Sequence, residues 1–192
     1  MSMHVAAFAV VCIMIQASPD VILVNEQDEP IGTMEKMAAH QSPHLHRAFS
    51  VFLFDKQQRM LLQQRAHSKY HSAGLWTNTC CSHPYPGEPV ADAAARRLQE
   101  EMGISVPIEK AFHFTYQASF DNGLFEYEFD HVFIGEVDNM RIEPDPAEVA
   151  AYTFRSIDDI NADMATSAHK YTEWFKIALP LVAQHLKAKA LA

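Results

Sequence analysis

One eight-residue stretch, Thr77-Asn78-Thr79-Cys80-Cys81-Ser82-His83-Pro84, constrains this chain more than any other. It sets a thiol and an imidazole two positions apart, after the aromatic Trp76 and ahead of the turn Pro86-Gly87. Leu75 to Cys80 reads as a strand, Pro84 to Gly87 as a loop, and Glu88 to Met102 as a helix. Cys81 and His83 therefore fall in the passage from strand to helix. Downstream, Glu126-Tyr127-Glu128 adds two carboxylates. Thiol, imidazole and paired carboxylates in one small domain suggest a metal site beside a proton-transfer site.

At 192 residues the chain is expected to form one domain with a real core. Hydrophobic residues make up 48% of it, which excludes a disordered chain. The formal charge of −9 speaks against nonspecific nucleic-acid binding. An anionic ligand would then need local cations or metal ions. Cys12, Cys80 and Cys81 are odd in number and two are adjacent, a poor disulfide framework. Reduced thiols in a cytoplasmic protein fit better, and one of them is then open to catalysis or metal binding.

Val5 to Ile15 is almost purely apolar and is followed by Ala17-Ser18-Pro19-Asp20, in the manner of a short secretory segment. No Lys or Arg precedes it, however, and about 18 apolar residues are needed to span a bilayer. Residues 1–19 are expected to be an N-terminal apolar extension of unknown role, packed on the domain or partly disordered, with no membrane partner.

Further along, Val21 to Val24 reads as a short strand, and Ala48 to Phe54 with Met60 to Gln64 as a hairpin. In the helix from Glu88, Pro89 suits the first helical position and Gly103 the residue past the end. Phe112 to Ala118 and Leu124 to Val137 form a second hairpin, turned at Asp121-Asn122-Gly123. Alternation in its second strand puts Glu126, Glu128 and Asp130 on one face and Phe125, Tyr127 and Phe129 on the other. Like charges there repel unless a cation sits between them. Ala151 to Phe154 is a last strand, Ser156 caps a short helix, and His169 to Ala190 is a longer helix broken near Pro180. A mixed sheet flanked by helices follows.

Among the histidines, His40, His46 and His83 from two loops, with Glu126 and Glu128, suit Zn²⁺, Mn²⁺ or Fe²⁺. The spacing is no tight motif, and His44, His67, His71, His113, His131, His169 and His185 compete, so surface or core roles stay open. Lys36, Arg65, Lys69 and Arg97 could hold a diphosphate or be solvated surface charges. Arg97 and Glu101, at i,i+4, read equally as a helix-surface ion pair. Cys81, near a histidine and cations, is the nucleophile or acid candidate with thiolate character. Cys80 reads as a small buried residue.

Taken in order, these residues resemble a known family. The motifs are Gly32-Thr33-Met34-Glu35-Lys36 with Ala38-Ala39-His40, Leu45-His46-Arg47-Ala48-Phe49-Ser50, and Gln64-Arg65-Ala66 with Ser68-Lys69. Trp76-Thr77-Asn78 with Cys81-Ser82-His83-Pro84, Glu100-Glu101-Met102-Gly103, Tyr116, Glu126-Tyr127-Glu128 and Trp174 continue the series. The pattern resembles type 1 isopentenyl-diphosphate isomerase from about Val21 to the C-terminal helix. The resemblance implies a Nudix-like α+β domain, an α/β/α sandwich over residues 20–192, and interconversion of isopentenyl and dimethylallyl diphosphate. It implies that His40, His46, His83, Glu126 and Glu128 hold one Mn²⁺ or Zn²⁺, and that Glu101, with the backbone at Cys81, helps hold a Mg²⁺ brought with the diphosphate. Lys36, Arg65, Lys69 and Arg97 would bind the diphosphate. Cys81 and Glu128 would be the acid/base groups, Tyr116 would assist Glu128, and Trp174 would lie over the reacting carbons. The implied partner is the small-molecule substrate alone, on a cytoplasmic monomer or weak homodimer.

The chain departs from the family pattern in places. Ser82 stands where the family has glycine, Cys80 where a small apolar residue is usual, and the loop from His40 to His46 is short. Arg96-Arg97-Leu98-Gln99-Glu100-Glu101-Met102-Gly103-Ile104 aligns with the Nudix hydrolase box, but Arg97 replaces a metal-binding glutamate. That exchange argues for holding a diphosphate intact. A Nudix hydrolase and a noncatalytic metal-binding or interaction module are the rival readings.

Overall fold

A computed structural model of the chain describes residues 20–191. The apolar extension 1–19 lies outside the described residues. Nine strands and four helices follow in the order β1 (Asp20–Val24), β2 (Pro30–Glu35), α1 (Lys36–Gln41), β3 (His46–Phe54), β4 (Met60–Arg65), β5 (Trp76–Thr77), β6 (Cys80–Ser82), α2 (Val90–Met102), β7 (Ile108–Ser119), β8 (Phe125–Glu136), β9 (Val149–Arg155), α3 (Ile157–Ser167) and α4 (Glu173–Ala190). A 3-10 turn, Ala168–Lys170, precedes α4. Among the described residues, no helix is long and apolar enough to cross a membrane.

Strand β3 is the hub of the mixed sheet. It runs parallel to β8 over nine residue pairs, from His46↔Glu128 to Phe54↔Glu136. It also pairs antiparallel with β6, through Phe49↔Ser82, Ser50↔Cys81 and Val51↔Cys80. Strand β7 continues the sheet beyond β8, with Tyr116 opposite Glu128 and Ala118 opposite Glu126. Strand β3 is buried along almost its whole length, which explains its near-continuous apolar sequence. Alternate residues feed two cores. Phe49, Val51 and Leu53 pack with Leu98 and Met102 of α2, while Phe52 and Phe54 pack with Phe175, Leu179 and Val182 of α4. Fully burying each such side chain stabilises by roughly 1.5–3 kcal/mol.

Several local readings change. The strand expected from Leu75 to Cys80 is two short pieces, because the chain crosses from β4, which β5 pairs, to β3, which β6 pairs. Side chains replace the lost ladder at the crossing. Asn78 Nδ2 donates to the carbonyls of Val51 (3.2 Å) and Cys80 (2.7 Å), and Thr79 Oγ1 donates to Leu61 O (2.7 Å). Pro89 is the N-cap of α2, one position before the expected site. Helix α4 starts later than expected and runs through Pro180 without ending there. That proline is on the exposed side, and the stripe Trp174, Phe175, Ala178, Leu179 and Val182 is buried. Packing of that stripe outweighs one missing backbone hydrogen bond. Strand β2 and helix α1 were not apparent in the sequence.

Gly103 ends α2 with φ 68°, its N–H donating to Gln99 O. The segment from Glu143 to Asp145 folds over this end, as Glu143 N–H donates to Met102 O and Asp145 N–H to Glu101 O. A Cβ on Gly103 would meet Glu143 O at 2.7 Å. Gly103→Ala should therefore cost at least about 1–2 kcal/mol from the left-handed backbone alone, before the clash. Urea unfolding of the two chains checks this, and an unchanged midpoint would refute the packing of this segment on α2.

Candidate active site

Three histidines and two glutamates converge below the sheet edge. One ligand atom from each of His40, His46, His83, Glu126 and Glu128 lies within 4.8 Å of the others. They arrive from four parts of the fold. His40 is in the last turn of α1, a helix that Glu35 caps by accepting from Ala38 N–H. His46 opens β3, His83 follows β6, and the two glutamates alternate on β8. The β3–β8 register sets His46 beside Glu128.

Backbone carbonyls orient the imidazoles. His40 Nδ1 lies 2.6 Å from Lys36 O and His46 Nδ1 lies 2.8 Å from His44 O. A carbonyl can only accept, so both Nδ1 atoms carry the proton and both Nε2 lone pairs face inward. Those Nε2 atoms and Glu126 Oε2 are buried and make no hydrogen bond. His40 Nε2 and Glu126 Oε2 are nevertheless 3.2 Å apart, and His83 Nε2 is 2.9 Å from Glu128 Oε1. Buried acceptors without donors are costly unless something electron-poor fills the space between them. Neutral imidazoles and carboxylates with backbone-fixed tautomers are the donor set of a divalent cation, and these residues fit one.

The titration tendencies agree. Burial pushes His40 down, and His83 down to about 3, so both rings stay neutral. Burial and the charge of Glu128 raise Glu126. Burial works to raise Glu128 too, but the adjacent His46 and His83 outweigh it and hold that carboxyl well below the usual range. Asp130, the third acid on this face, is buried outside the cluster and accepts from Ser50 Oγ at 2.7 Å.

A pocket opens directly above. Its wall includes Lys36, Arg65, Lys69 and Arg97, with Cys81, Glu101, Tyr116, Glu126, Glu128 and Trp174. His40 and His46 are fully buried behind it. Tyr116 O–H donates to Glu128 Oε2 at 2.7 Å. Trp174 is almost wholly buried, and the Arg65 guanidinium lies 5.3 Å from the centre of its ring. The surroundings of Cys81 do not favour the thiolate character expected there: burial pushes its thiol well up, and Glu101, Glu128 and Asp130 add to the rise against Arg65. Cys80, buried in the core with Leu98 and Met102, matches its reading as a small core residue.

The expected cations meet in this pocket, and two of them, Arg97 and Lys69, are paired with carboxylates. Arg97 bonds Glu101 (2.7 Å) and Glu100 (2.8 Å), and it approaches Glu148 Oε1 at 3.4 Å. Lys69 pairs with the same Glu148. Burial would raise the Glu148 carboxyl, yet Lys69 and Arg97 outweigh it and lower it. Burial lowers the ammonium of Lys36 against the pull of Glu126, and the neighbouring cations Lys69, Arg97 and Arg65 lower it further. Such mutual repulsion is relieved by an anion bound among them. Glu148, Tyr70 and His71 line the pocket without having been singled out in the sequence. His71, two positions after Lys69, was the nearest thing to a signal. Glu148 stood in an unremarked loop and is placed by tertiary contacts with Lys69 and Arg97.

The NUDIX domain profile matches residues 44–175. An isopentenyl-diphosphate Delta-isomerase from Pectobacterium atrosepticum is 46% identical over 170 residues, covering 88% of this chain and 94% of that protein. Isopentenyl-diphosphate Delta-isomerase 1 from Aromatoleum aromaticum is 49% identical over 162 residues, covering 84% and 91%. Among solved structures, DR0079 from Deinococcus radiodurans has a TM-score of 0.64 at 18% identity, covering 77% of this chain and 90% of that one. The MutT protein from Methanosarcina mazei has a TM-score of 0.61 at 17% identity, covering 74% and 96%. These distant structures bear on the fold alone, which is that of the NUDIX domain. Identity near one half across most of both chains decides the rest: this chain belongs to the isopentenyl-diphosphate Delta-isomerase family.

Proposed function

We propose that the chain interconverts isopentenyl and dimethylallyl diphosphate, moving the double bond by adding a proton at one carbon and removing one from another. The observation that carries this reading is a single pocket where a thiol, a phenol-bonded carboxylate, an indole and four cations meet. In the same reading His40, His46, His83, Glu126 and Glu128 hold one Mn²⁺ or Zn²⁺, and Glu101, with the backbone at Cys81, helps hold a Mg²⁺ that arrives with the diphosphate. The bound ions supply positive charge, to the paired carboxylates in one place and to the diphosphate in the other.

Lys36, Arg65, Lys69 and Arg97 seat the diphosphate and so fix where the five-carbon chain lies. An alkene is a poor base, and protonating its terminal carbon builds a tertiary carbocation. Cys81 and Glu128 are the acid/base pair. One gives a proton to the terminal carbon, and the other takes one from the carbon between the cationic centre and the diphosphate-bearing carbon. One proton enters and one leaves, so the product is an isomer and the diphosphate stays intact. The pair ends with its protonation states exchanged and is reset by proton exchange with solvent. Tyr116 holds the Glu128 carboxylate in place. Acid–base catalysis typically contributes about 10²–10⁴-fold, so cation stabilisation and positioning supply the remainder. The Trp174 ring contributes ~2 kcal/mol or more when desolvated. Water must be kept out, since it would trap the cation as an alcohol.

The free thiols of Cys80 and Cys81 favour a cytoplasmic setting. We take the partner to be the small-molecule substrate, with no nucleic acid, on a monomer or weak homodimer.

Incubation with isopentenyl diphosphate tests the whole reading. Dimethylallyl diphosphate is the expected product, and released phosphate without isomerisation would overturn it. Within that assay Cys81→Ala should abolish turnover while the fold and diphosphate binding persist, and Cys80→Ala should keep most of its activity. The reverse pattern sinks the assignment of Cys81. Elemental analysis should find close to one transition-type ion per chain, reduced in His46→Ala. Full activity in metal-free protein would refute the ion's role. Trp174→Phe should keep folding and diphosphate affinity but lower turnover roughly tenfold, the equivalent of ~1.4 kcal/mol of barrier. A cationic ammonium analogue should bind that variant more weakly. Equal weakening of both ligands would mean the indole only packs.

A further inference from the structure

His71 has no place in the reaction as described, yet it touches more of the site than its neighbours do. It lies in the loop between β4 and β5 and is 8% exposed. Its Nε2 is 3.4 Å from Glu126 Oε1, the carboxylate oxygen opposite the one that faces His40. The ring is fixed on several sides. Phe120, from the β7–β8 turn, stacks on it with centroids 5.1 Å apart and planes at 21°. Trp174 meets it edge-on at 5.8 Å and 81°. Ser72 Oγ lies 3.3 Å from Nδ1 and can donate to it, which leaves the proton on Nε2, facing Glu126.

The backbone is committed as well. Ser72 sits at φ 50°, a left-handed conformation costly for a residue with a Cβ. Arg65 Nη2 approaches His71 O at 3.4 Å, and Asn122 Nδ2 donates to Tyr70 O at 3.1 Å. A strained loop residue whose side chain orients a buried imidazole is the kind of arrangement found around functional sites. Carboxylates that ligate metals are themselves held by hydrogen bonds, and losing such support typically lowers metal affinity about 10–100-fold.

We propose that His71 is a positioning residue for the metal site: its Nε2–H orients the Glu126 carboxylate, and its ring is locked in place by Phe120 and Trp174. The inference rests on the five-residue metal site described above. It also ties that site to the indole, because one imidazole contacts both.

Titration of metal-stripped chains with Mn²⁺ alone, in competition with a chromophoric chelator, tests it. His71→Phe keeps an aromatic ring between Phe120 and Trp174 but removes the N–H donor. It should weaken Mn²⁺ binding about tenfold or more while the metal-free chain melts as wild type does. His71→Gln restores a donor at similar reach and should recover most of that affinity. In a Glu126→Ala background, His71→Phe should have no further effect. Wild-type affinity in His71→Phe, or an equal loss in Phe and Gln variants, would overturn the proposal. So would a loss that persists without Glu126. His46→Ala in the same series separates the two ideas: if it binds Mn²⁺ as tightly as wild type, the metal site itself is wrong, whatever His71 does.

Discussion

The parallel register of β3 on β8, with His46 beside Glu128, is the constraint on which the rest of the site depends. Side chains alternate along a strand, so a slip of one residue would turn Glu126, Glu128 and Asp130 to the opposite face. It would also break the match of Tyr116 with Glu128 across β7. The register is pinned from both sides of the sheet. Phe49, Val51 and Leu53 belong to one core, Phe52 and Phe54 to the other, and neither set can change face without exposing large apolar area. The same strand carries Ser50 opposite Cys81 on β6. One buried strand thereby sets the thiol and the clustered carboxylates in fixed relation, although Cys81 and Glu128 are 47 positions apart.

Placing so many ionisable groups in a desolvated pocket has a physical consequence: none of them is independent. Arg97 and Lys69 share Glu148, Glu101 accepts from both Arg97 and Gln63, and Glu126 sits between histidines. Removing one partner of a buried pair strands the other, at a cost larger than the net worth of the contact. Effects of single substitutions here are therefore expected to be non-additive, and double-mutant comparisons are the informative ones. The chain carries −9 overall, and this pocket gathers four cations against that background. Those cations share the pocket with Glu101, Glu126, Glu128 and Glu148, so a bound anion would compete with carboxylates for them.

The sequence revealed the regular parts of this fold well. The two hairpin arms from Phe112 to Val137, the helix ending at Gly103 and the Ser156 cap follow from alternation and local capping chemistry, which act over a few residues. Strand β2 and helix α1 escaped because Pro30 to Gln41 carries neither an alternating nor a long helical pattern. Strand β2 lies mostly exposed and is held by pairing with β1. The break between β5 and β6 escaped for another reason. It is specified by Asn78 and Thr79 bonding to strands elsewhere in the chain. In the site, motif resemblance named residues that the structure brings to one pocket and the cluster behind it. It missed Glu148, which a loop delivers, and His71, which matters only through its neighbours. The thiolate character read for Cys81 came from nearby cations, and sequence proximity does not register the burial that pushes this thiol up.

The pairing of Arg65 with Trp174 shows how binding and chemistry can be linked in such a pocket. The guanidinium lies over the indole ring at 5.3 Å. A cation there is held by roughly 0.5–2 kcal/mol. A bidentate guanidinium–phosphate pair is charge-assisted, about twice as strong per hydrogen bond as a neutral contact, and it acts between full charges. A diphosphate in reach of Arg65 therefore draws the guanidinium more strongly than the ring does. The ring, held in place from its edge by His71, is then left with an electron-rich face and no cation of the protein's own to satisfy it. In the proposed reaction, an intermediate whose charge develops only after the diphosphate has docked would meet that face, while the neutral alkene before it would gain little. The stabilisation would then fall on the transition state more than on the bound substrate, which is the condition for binding energy to appear as rate.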